Sequence, residues 1–424
     1  MPEVADKPNK MSTLKLDNPF RPGAGHMPPY MAGREKEKEE FRKLLEQDVI
    51  LDNLVLSGLR GIGKTVLLEI FKPQAIQDGW LWAGTDLSES TSVTEENMAL
   101  RLLTDLAVVT SAITITTEET KVGFAQSAEQ VPATLNFPAL KAIYDSTPGL
   151  ILDKLKTVLE FVWPQVQAVN RRGIIFAYDE AQNLADHEAK EQYPLSLLLD
   201  LFQSLQRKGI RFMLALTGLP TLFPKLVEAR TFSERMFHQI VLAPLNEAET
   251  TEAIREPVKK KSCPIHFSQE SITTIWSVTR GYPYFVQYVC REVYDVWVQA
   301  LNTETNLPAI PVIEIMRKLD TDFFAGRWAK VTDRQRELLW IIATLNNCES
   351  EFTVQEIAET PMNKATDPPF SSSSINQTLG LLIKSGLVYK NRHGKYSFAV
   401  PLLSEFIKRQ RSQYHAQTAA TNVS

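Results

Sequence analysis

Cysteine is scarce in this 424-residue chain: Cys263, Cys290 and Cys348 are all there is. They lie far apart, form no C-x-x-C pair and match no metal-ligand spacing. A disulfide framework and a structural zinc site are excluded, and a reducing, intracellular setting is the expectation. Long apolar runs are also missing. No stretch approaches the roughly 18 apolar residues that a membrane-spanning helix needs. No apolar segment near residue 1 reads as a secretory signal. A cytoplasmic protein with no membrane partner is therefore expected. An excess of charge of one sign is lacking too, because the net charge is only −4 at a pI of about 6.0. There is no global basic field for nucleic acid, so any such contact must come from a local patch. What remains, 44% hydrophobic and 23% charged residues, is ordinary for a globular chain, and the length suits two or three domains.

Glycine is sparse as well, 18 in all, so its clustering carries information. Gly58, Gly61 and Gly63 fall in one turn between an apolar run, Asn53–Ser57, and a helix start. Gly58 to Thr65 fits G-x-x-x-x-G-K-[ST] without a mismatch. The pattern has a mechanism: the glycines let backbone N–H groups converge on a phosphate chain, and the lysine reaches the β- and γ-phosphates. The following helix aims its positive end at the same anion. The nucleotide-binding set is thus Gly58, Leu59, Arg60, Gly61, Ile62, Gly63, Lys64, Thr65 and Val66, with ATP as ligand and Thr65 as a ligand of Mg²⁺. The bland alternative is a tight strand-to-helix turn with a chance lysine.

A second decisive stretch is Gly173-Ile174-Ile175-Phe176-Ala177-Tyr178-Asp179-Glu180. A continuous apolar run suits a central parallel strand buried on both faces. It ends in two carboxylates. Asp179 reads as the support for Mg²⁺ and Glu180 as the base that orients an attacking water; a simple strand cap is the alternative. Ile210–Gly218 is another buried strand, and it ends in Thr217. If the sheet is ordered as in ring-type ATPases, Thr217 lies between loop and carboxylates and reaches the water or the γ-phosphate; the alternative is a strand-end threonine that starts the turn before Gly218 and Pro220. Arg235, just before the strand at Gln239–Leu242, is either an arginine finger delivered in trans to a neighbour's nucleotide or a surface ion pair.

The rest of the chain supplies the frame. Residues 1–16 read as a disordered leader, and 18–30, rich in Pro, as an irregular arm that packs on something. A helix opens near Glu35. The phosphate-loop helix is expected to stop before Pro73, and 111–148 to form a mostly irregular surface insertion. Strand and helix alternate through residue 245, which predicts a doubly wound parallel sheet. Residues 246–328 become helical, with Lys259–Lys261 as a solvated helix end. Residues 329–412 read as three helices, a hairpin around Asn391–Gly394 and a closing helix from Pro401 to Arg411, the winged helix-turn-helix plan. A tail, 413–424, follows. On the third helix Asn376, Gln377 and Lys384 face outward, and Arg392 and Lys395 flank the hairpin tip. These could read a groove and hold phosphates of duplex DNA, or the domain could serve as a protein-interaction or nucleotide-covering module.

Together the Gly33-Arg34-Glu35 box, the Walker A loop, the Asp179-Glu180 Walker B pair, Thr217, the helical segment and the winged helix resemble AAA+/STAND-type ATPases. The resemblance is strongest to the bacterial and archaeal branch near the origin-recognition initiator ATPases, and covers about residues 17 to 411. It implies an α/β P-loop NTPase sheet, 17–245, with a helical lid, 246–328, and a C-terminal winged helix. It places Gly33 and Arg34 near the adenine, makes Thr217 the sensor 1 residue, and makes Gly281-Tyr282-Pro283 the turn with which STAND lids touch the base. The sensor 2 arginine expected of ring-forming initiators is not obvious; Arg280 and Arg291 are the candidates. That departure favours an ATP-hydrolysing switch, releasing ADP and phosphate, that exposes a winged-helix surface to an unidentified protein partner. Homo-oligomers in the ATP state are one implied assembly. The rival expectation is an initiator-like or mobile-element ATPase that contacts duplex DNA.

Overall fold

The fold is taken from a computed structural model. It describes residues 17–23, 25–119, 129–260, 265–301, 307–392 and 394–421, with 115–119, 129–133, 260, 392 and 413–421 described by backbone alone. The expected leader, 1–16, lies outside the described residues, as do Lys261, Cys263 and His393. No helix among the described residues is long and apolar enough to cross a membrane. The chain forms two compact units, one of residues 34–243 and 338–404, the other of 1–33, 244–337 and 405–424.

The strands in chain order are β1 (Asn53–Ser57), β2 (Trp80–Ala83), β3 (Thr114–Glu119), β4 (Glu129–Thr134), β5 (Gly173–Tyr178), β6 (Phe212–Gly218), β7 (Phe237–Val241), β8 (Val388–Arg392) and β9 (Lys395–Phe398). All belong to the first unit. Five of them make a sheet in the order β2-β5-β6-β1-β7, and every pairing in it is parallel. The reason is in the residues: β1, β5 and β6 are buried along their whole length, as continuous Leu, Ile, Val and Phe runs must be when helices cover both faces. Phe176 packs edge-on against Phe202 and Phe212 in this core. The register of β1 is pinned by a buried amide pair. Asn53 accepts from Leu214 N at 2.7 Å and from Gln206 Nε2 at 2.8 Å, and donates to Met236 O at 3.0 Å. Each such bond adds about 1 kcal/mol, and its loss would strand a buried polar group.

Three expectations need correction. The phosphate-loop helix does not stop before Pro73; it runs from Lys64 to Gln77. Pro73 faces solvent while Phe71 and Ala75 are buried on either side, so packing offsets the roughly 3 kcal/mol an interior proline costs. The segment 111–148 is not mostly irregular. It holds the antiparallel β3–β4 pair and a helix, Phe137–Ser146, capped by Asn136, which accepts from Ala139 N at 3.1 Å. Leu140 and Tyr144, one helical turn apart, carry that helix into the core. The closing helix passes Arg411 and continues to Thr421.

The first unit also contains the helices Val354–Glu359 and Ser372–Lys384 and the hairpin β8–β9. Thr353 and Glu356 form a capping box at the first of these. Phe352 bridges Tyr396, which adds a third short strand position beside β9. The helix Asp333–Ala343 precedes them in the chain, so the element order is three longer helices and then a hairpin.

The second unit is helical: Glu247–Lys260, Gln269–Thr279, Pro283–Leu301 and Val312–Leu319. The proline-rich arm packs here. Phe20 meets Phe267 and Tyr294, and Asn18 donates to Arg291 O at 2.9 Å. Phe324 stacks on Phe406, and Arg409 pairs with Asp320, which ties the final helix to this unit.

Candidate functional site: the phosphate loop and its carboxylates

The loop between β1 and the helix Lys64–Gln77 holds Gly61 at φ 76° and Gly63 at φ 97°. Side-chain-bearing residues are strained there, so the glycines are what allow the curl. Gly58 is needed for a different reason: a Cβ on it would lie 2.8 Å from the Ile62 side chain. Lys64 is 8% exposed and donates to the carbonyls of Gly58 at 3.0 Å and Leu59 at 3.1 Å. Burial pulls its ammonium below the ordinary lysine range, opposed by the Asp179 and Glu180 carboxylates. Such a cation is held beside the loop ready for an anion.

Opposite the loop, Asp179 closes β5 and is 4% exposed. Its carboxylate accepts from the hydroxyls of Thr65 and Thr217, and from Glu180 N at 2.8 Å. The sheet order explains the convergence. β6 lies between β1 and β5, with Leu56 beside Thr217 and Tyr178 beside Leu216. Thr217 therefore sits between loop and carboxylate, as the ring-ATPase ordering required. Glu180 adopts the left-handed conformation, φ 51° and ψ 33°, which turns its exposed side chain away from the strand line. A carboxylate and a hydroxyl are hard oxygen donors suited to Mg²⁺. The glycine curl and the lysine suit a polyphosphate.

Arg34 is 3% exposed and clamps the loop rather than facing solvent. It donates to Ile62 O at 3.3 Å and Ala243 O at 2.9 Å, and pairs with Glu37. Gly33, at φ 64°, belongs to the other unit, where a Cβ would lie 2.5 Å from the Glu249 carboxyl carbon. Gly281 (φ 71°) is also in that unit. It leaves no room for a Cβ, which would fall 1.9 Å from Leu245 O, and Leu245 N donates to Gly281 O at 2.9 Å. Pro283 opens the next helix. Of the sensor 2 candidates, Arg280 pairs with Glu405 and Arg291 with Glu292.

Arg235 is exposed just before β7. β7 runs parallel to β1, and Phe237 pairs with Asn53 at the start of that strand. Arg235 thus lies at the sheet edge opposite the phosphate loop and cannot serve its own loop. Asn376, Gln377 and Lys384 are exposed on the helix Ser372–Lys384, and Lys395 is half-buried. The side chain of Arg392 lies outside what is described. The turn after that helix approaches the phosphate loop: a Cβ on Gly386 would lie 3.2 Å from the Arg60 guanidinium.

Three participants were not picked out from the sequence. Asp86 bridges Asp179 as a continuation of β2. The close approach depends on Gly84, where a Cβ would fall 1.9 Å from Ala177 O. Burial, then the neighbouring Asp179 and Glu180 carboxylates, raise the Asp86 pKa. A cavity of about 140 Å³ beside it is lined by Glu69, Lys72, Asp105 and Asp179 among others. Gln182 and Lys225 form a further network next to Glu180. The available signal was positional: Asp86 follows the second strand as Asp179 follows its own.

Known proteins place the fold. A family model described as "Domain of unknown function (DUF8462)" matches residues 321–407. Among curated proteins none matches. Among solved structures, the Walker-type ATPase of Pyrococcus abyssi is similar at a TM-score of 0.53 and 16% identity, over 89% of this chain and 96% of that one. The Aeropyrum pernix ORC2 protein in its ADP form is similar at a TM-score of 0.53 and 15% identity, over 94% and 98%. The chain has the P-loop AAA+ α/β fold of these two proteins.

Proposed function

We propose that this chain is an ATP-driven molecular switch that hydrolyses Mg-ATP slowly to ADP and phosphate. The observation that carries the reading is the Asp179 carboxylate. It receives the hydroxyls of Thr65 from the phosphate-loop helix and Thr217 from β6, next to a buried lysine. In the nucleotide-bound state the loop amides of Gly58 to Thr65 hold the phosphate chain, and Lys64 leaves its two carbonyl partners for the β- and γ-phosphates. Thr65 and Asp179 would hold Mg²⁺, which supplies charge neutralisation of the phosphates. Glu180 accepts the proton of the attacking water, and Thr217 orients the water or the γ-phosphate.

The readout in this proposal is the winged-helix segment. Arg60 in the phosphate loop lies against the turn at Gly386, so a loop that closes on phosphate changes what that turn packs on. Its outward helix carries Leu381 and Ile383, 47% and 37% exposed, beside Asn376, Gln377 and Lys384. This mixed surface suits a protein partner better than a phosphate backbone. Duplex DNA is the second reading, supported by the same exposed amides and lysine. Duplex binding that weakens with salt and with Lys384→Ala would support it. Arg235, on the far sheet edge, acts only on the nucleotide of a second copy, in an ATP-state homo-oligomer. Arg34, which holds the loop through the carbonyl of Ile62, is on the base side of the site.

The direct test is thermal unfolding with and without Mg-ATP. Nucleotide at about 100 times its Kd stabilises the folded state by about 2.7 kcal/mol. Lys64→Ala should abolish the shift; an equal shift in both proteins overturns the assignment.

A further inference from the structure

Glu180 is exposed at the end of β5, yet its carboxylate is not free. It accepts a hydrogen bond from Nε2 of Gln182. The same Gln182 side chain accepts, through Oε1, from Leu219 N at 3.1 Å. A backbone N–H can only donate, so Leu219 fixes which end of the amide faces it, and the NH₂ end must face Glu180. The backbone carbonyl of Gln182 accepts from Lys225 Nζ at 2.8 Å. The amide fits only because residue 218 is glycine; a Cβ there would lie 2.6 Å from Oε1. One side chain thus ties the base at the end of β5 to the end of β6, just after Thr217.

Resting on the hydrolytic reading of this site, we propose that Gln182 is the positioning residue that holds the Glu180 carboxylate in place to accept the proton of the attacking water. It touches neither phosphate nor water itself; it acts through Glu180. A carboxylate on a short exposed turn would otherwise sample several rotamers, most of them misaligned with a water bound near Thr217. The donor amide selects one rotamer and leaves the second carboxylate oxygen to take the proton.

Gln182→Glu separates this role from a structural one. The glutamate keeps the shape and the oxygen that Leu219 N–H needs, but it loses the donor toward Glu180 and places a like charge beside it. We expect kcat for Mg-ATP to fall roughly 10–100-fold, part of the 10²–10⁴-fold that a general base supplies. KM and the equilibrium binding of a non-hydrolysable ATP analogue should stay within about twofold. In a Glu180→Gln background the same change should have almost no further effect, because two residues acting as one unit are not additive. Gln182→Asn, which shortens the arm, should show the same loss in kcat alone and guards against a folding defect in the first variant. Wild-type kcat in Gln182→Glu, with Glu180→Gln inactive, overturns the proposal and leaves the base assignment standing. A fall that persists in the Glu180→Gln background also overturns it. Glu180→Gln turning over as fast as wild type overturns the base assignment, and the proposal with it.

Discussion

Thr217→Val removes one hydroxyl from the centre of the site and little else. Thr217 is fully buried in β6. Valine keeps the β-branched shape that strands favour. What is lost is the hydrogen bond to Oδ1 of Asp179, an oxygen that then keeps only the Glu180 N–H. A bond to a charged group contributes about 1.5–3 kcal/mol, because its removal leaves part of a buried charge unsolvated. With an m-value near 2 kcal/mol/M, a loss of about 2 kcal/mol lowers the urea midpoint of the unit by roughly 1 M at unchanged m. The assay is urea unfolding of nucleotide-free protein, alongside phosphate release with Mg-ATP. Thr217→Ser, which retains the hydroxyl, should stay within about 0.5 kcal/mol of wild type. Phosphate release should fall in the valine variant and persist in the serine variant. If valine leaves both midpoint and turnover unchanged, Thr217 is a strand residue and the convergence on Asp179 has no role.

Arg34→Ala strips Ile62 O and Ala243 O of a buried donor, so it should cost about 1–3 kcal/mol of stability and weaken ATP binding, read by unfolding and by fluorescent-nucleotide titration. Asp86→Asn should stabilise the nucleotide-free protein at neutral pH. Its pKa is raised in the native state by burial first and by the Asp179 and Glu180 carboxylates next. The native state therefore binds this proton more readily than the unfolded chain, and the wild-type penalty stands above the native pKa. The penalty shrinks as pH falls through that pKa toward the ordinary 3.8, so the advantage of asparagine should vanish there in a pH series of urea midpoints. Gly281→Ala places a Cβ 1.9 Å from Leu245 O at a φ of 71°, so it should destabilise the helical unit by about 2 kcal/mol or more, seen as loss of hydrogen-exchange protection in Pro283–Leu301.

The frame of the candidate site was legible because its signals are local. Gly58–Thr65 is a contiguous pattern with a mechanism, and the strands ending in Asp179 and Thr217 are continuous apolar runs that only a doubly covered sheet explains. The sheet order, which brings Thr217 between loop and carboxylate, was legible only conditionally, because the pairing of β6 with β1 and β5 is long-range. The Thr-, Ser- and Glu-rich residues before it concealed the helix Phe137–Ser146, whose buried Leu140 and Tyr144 are joined at the core by the half-buried Phe137 and Ile143. Pro73 misled because its cost is offset by packing of Phe71 and Ala75 that sequence does not display. Asp86, Gln182 and Lys225 were missed for a related reason. Asp86 and Gln182 gain their places from close approaches at Gly84 and Gly218, and Lys225 from a long-range bond to the Gln182 carbonyl, none of which a spacing rule encodes. Arg34 looked like a base-side residue of the nucleotide site; its contacts add a clamp on the carbonyl of Ile62.

In the proposed function, Lys64, Asp179 and Glu180 form one hydrolytic site. Phosphate release from Mg-ATP by wild type and Glu180→Gln, with nucleotide binding measured on the same samples, tests it most directly. Unchanged ATP binding and a loss of turnover of roughly 10²-fold or more are expected in the variant. Equal turnover in the two proteins, or wild-type protein that binds no ATP, would contradict it.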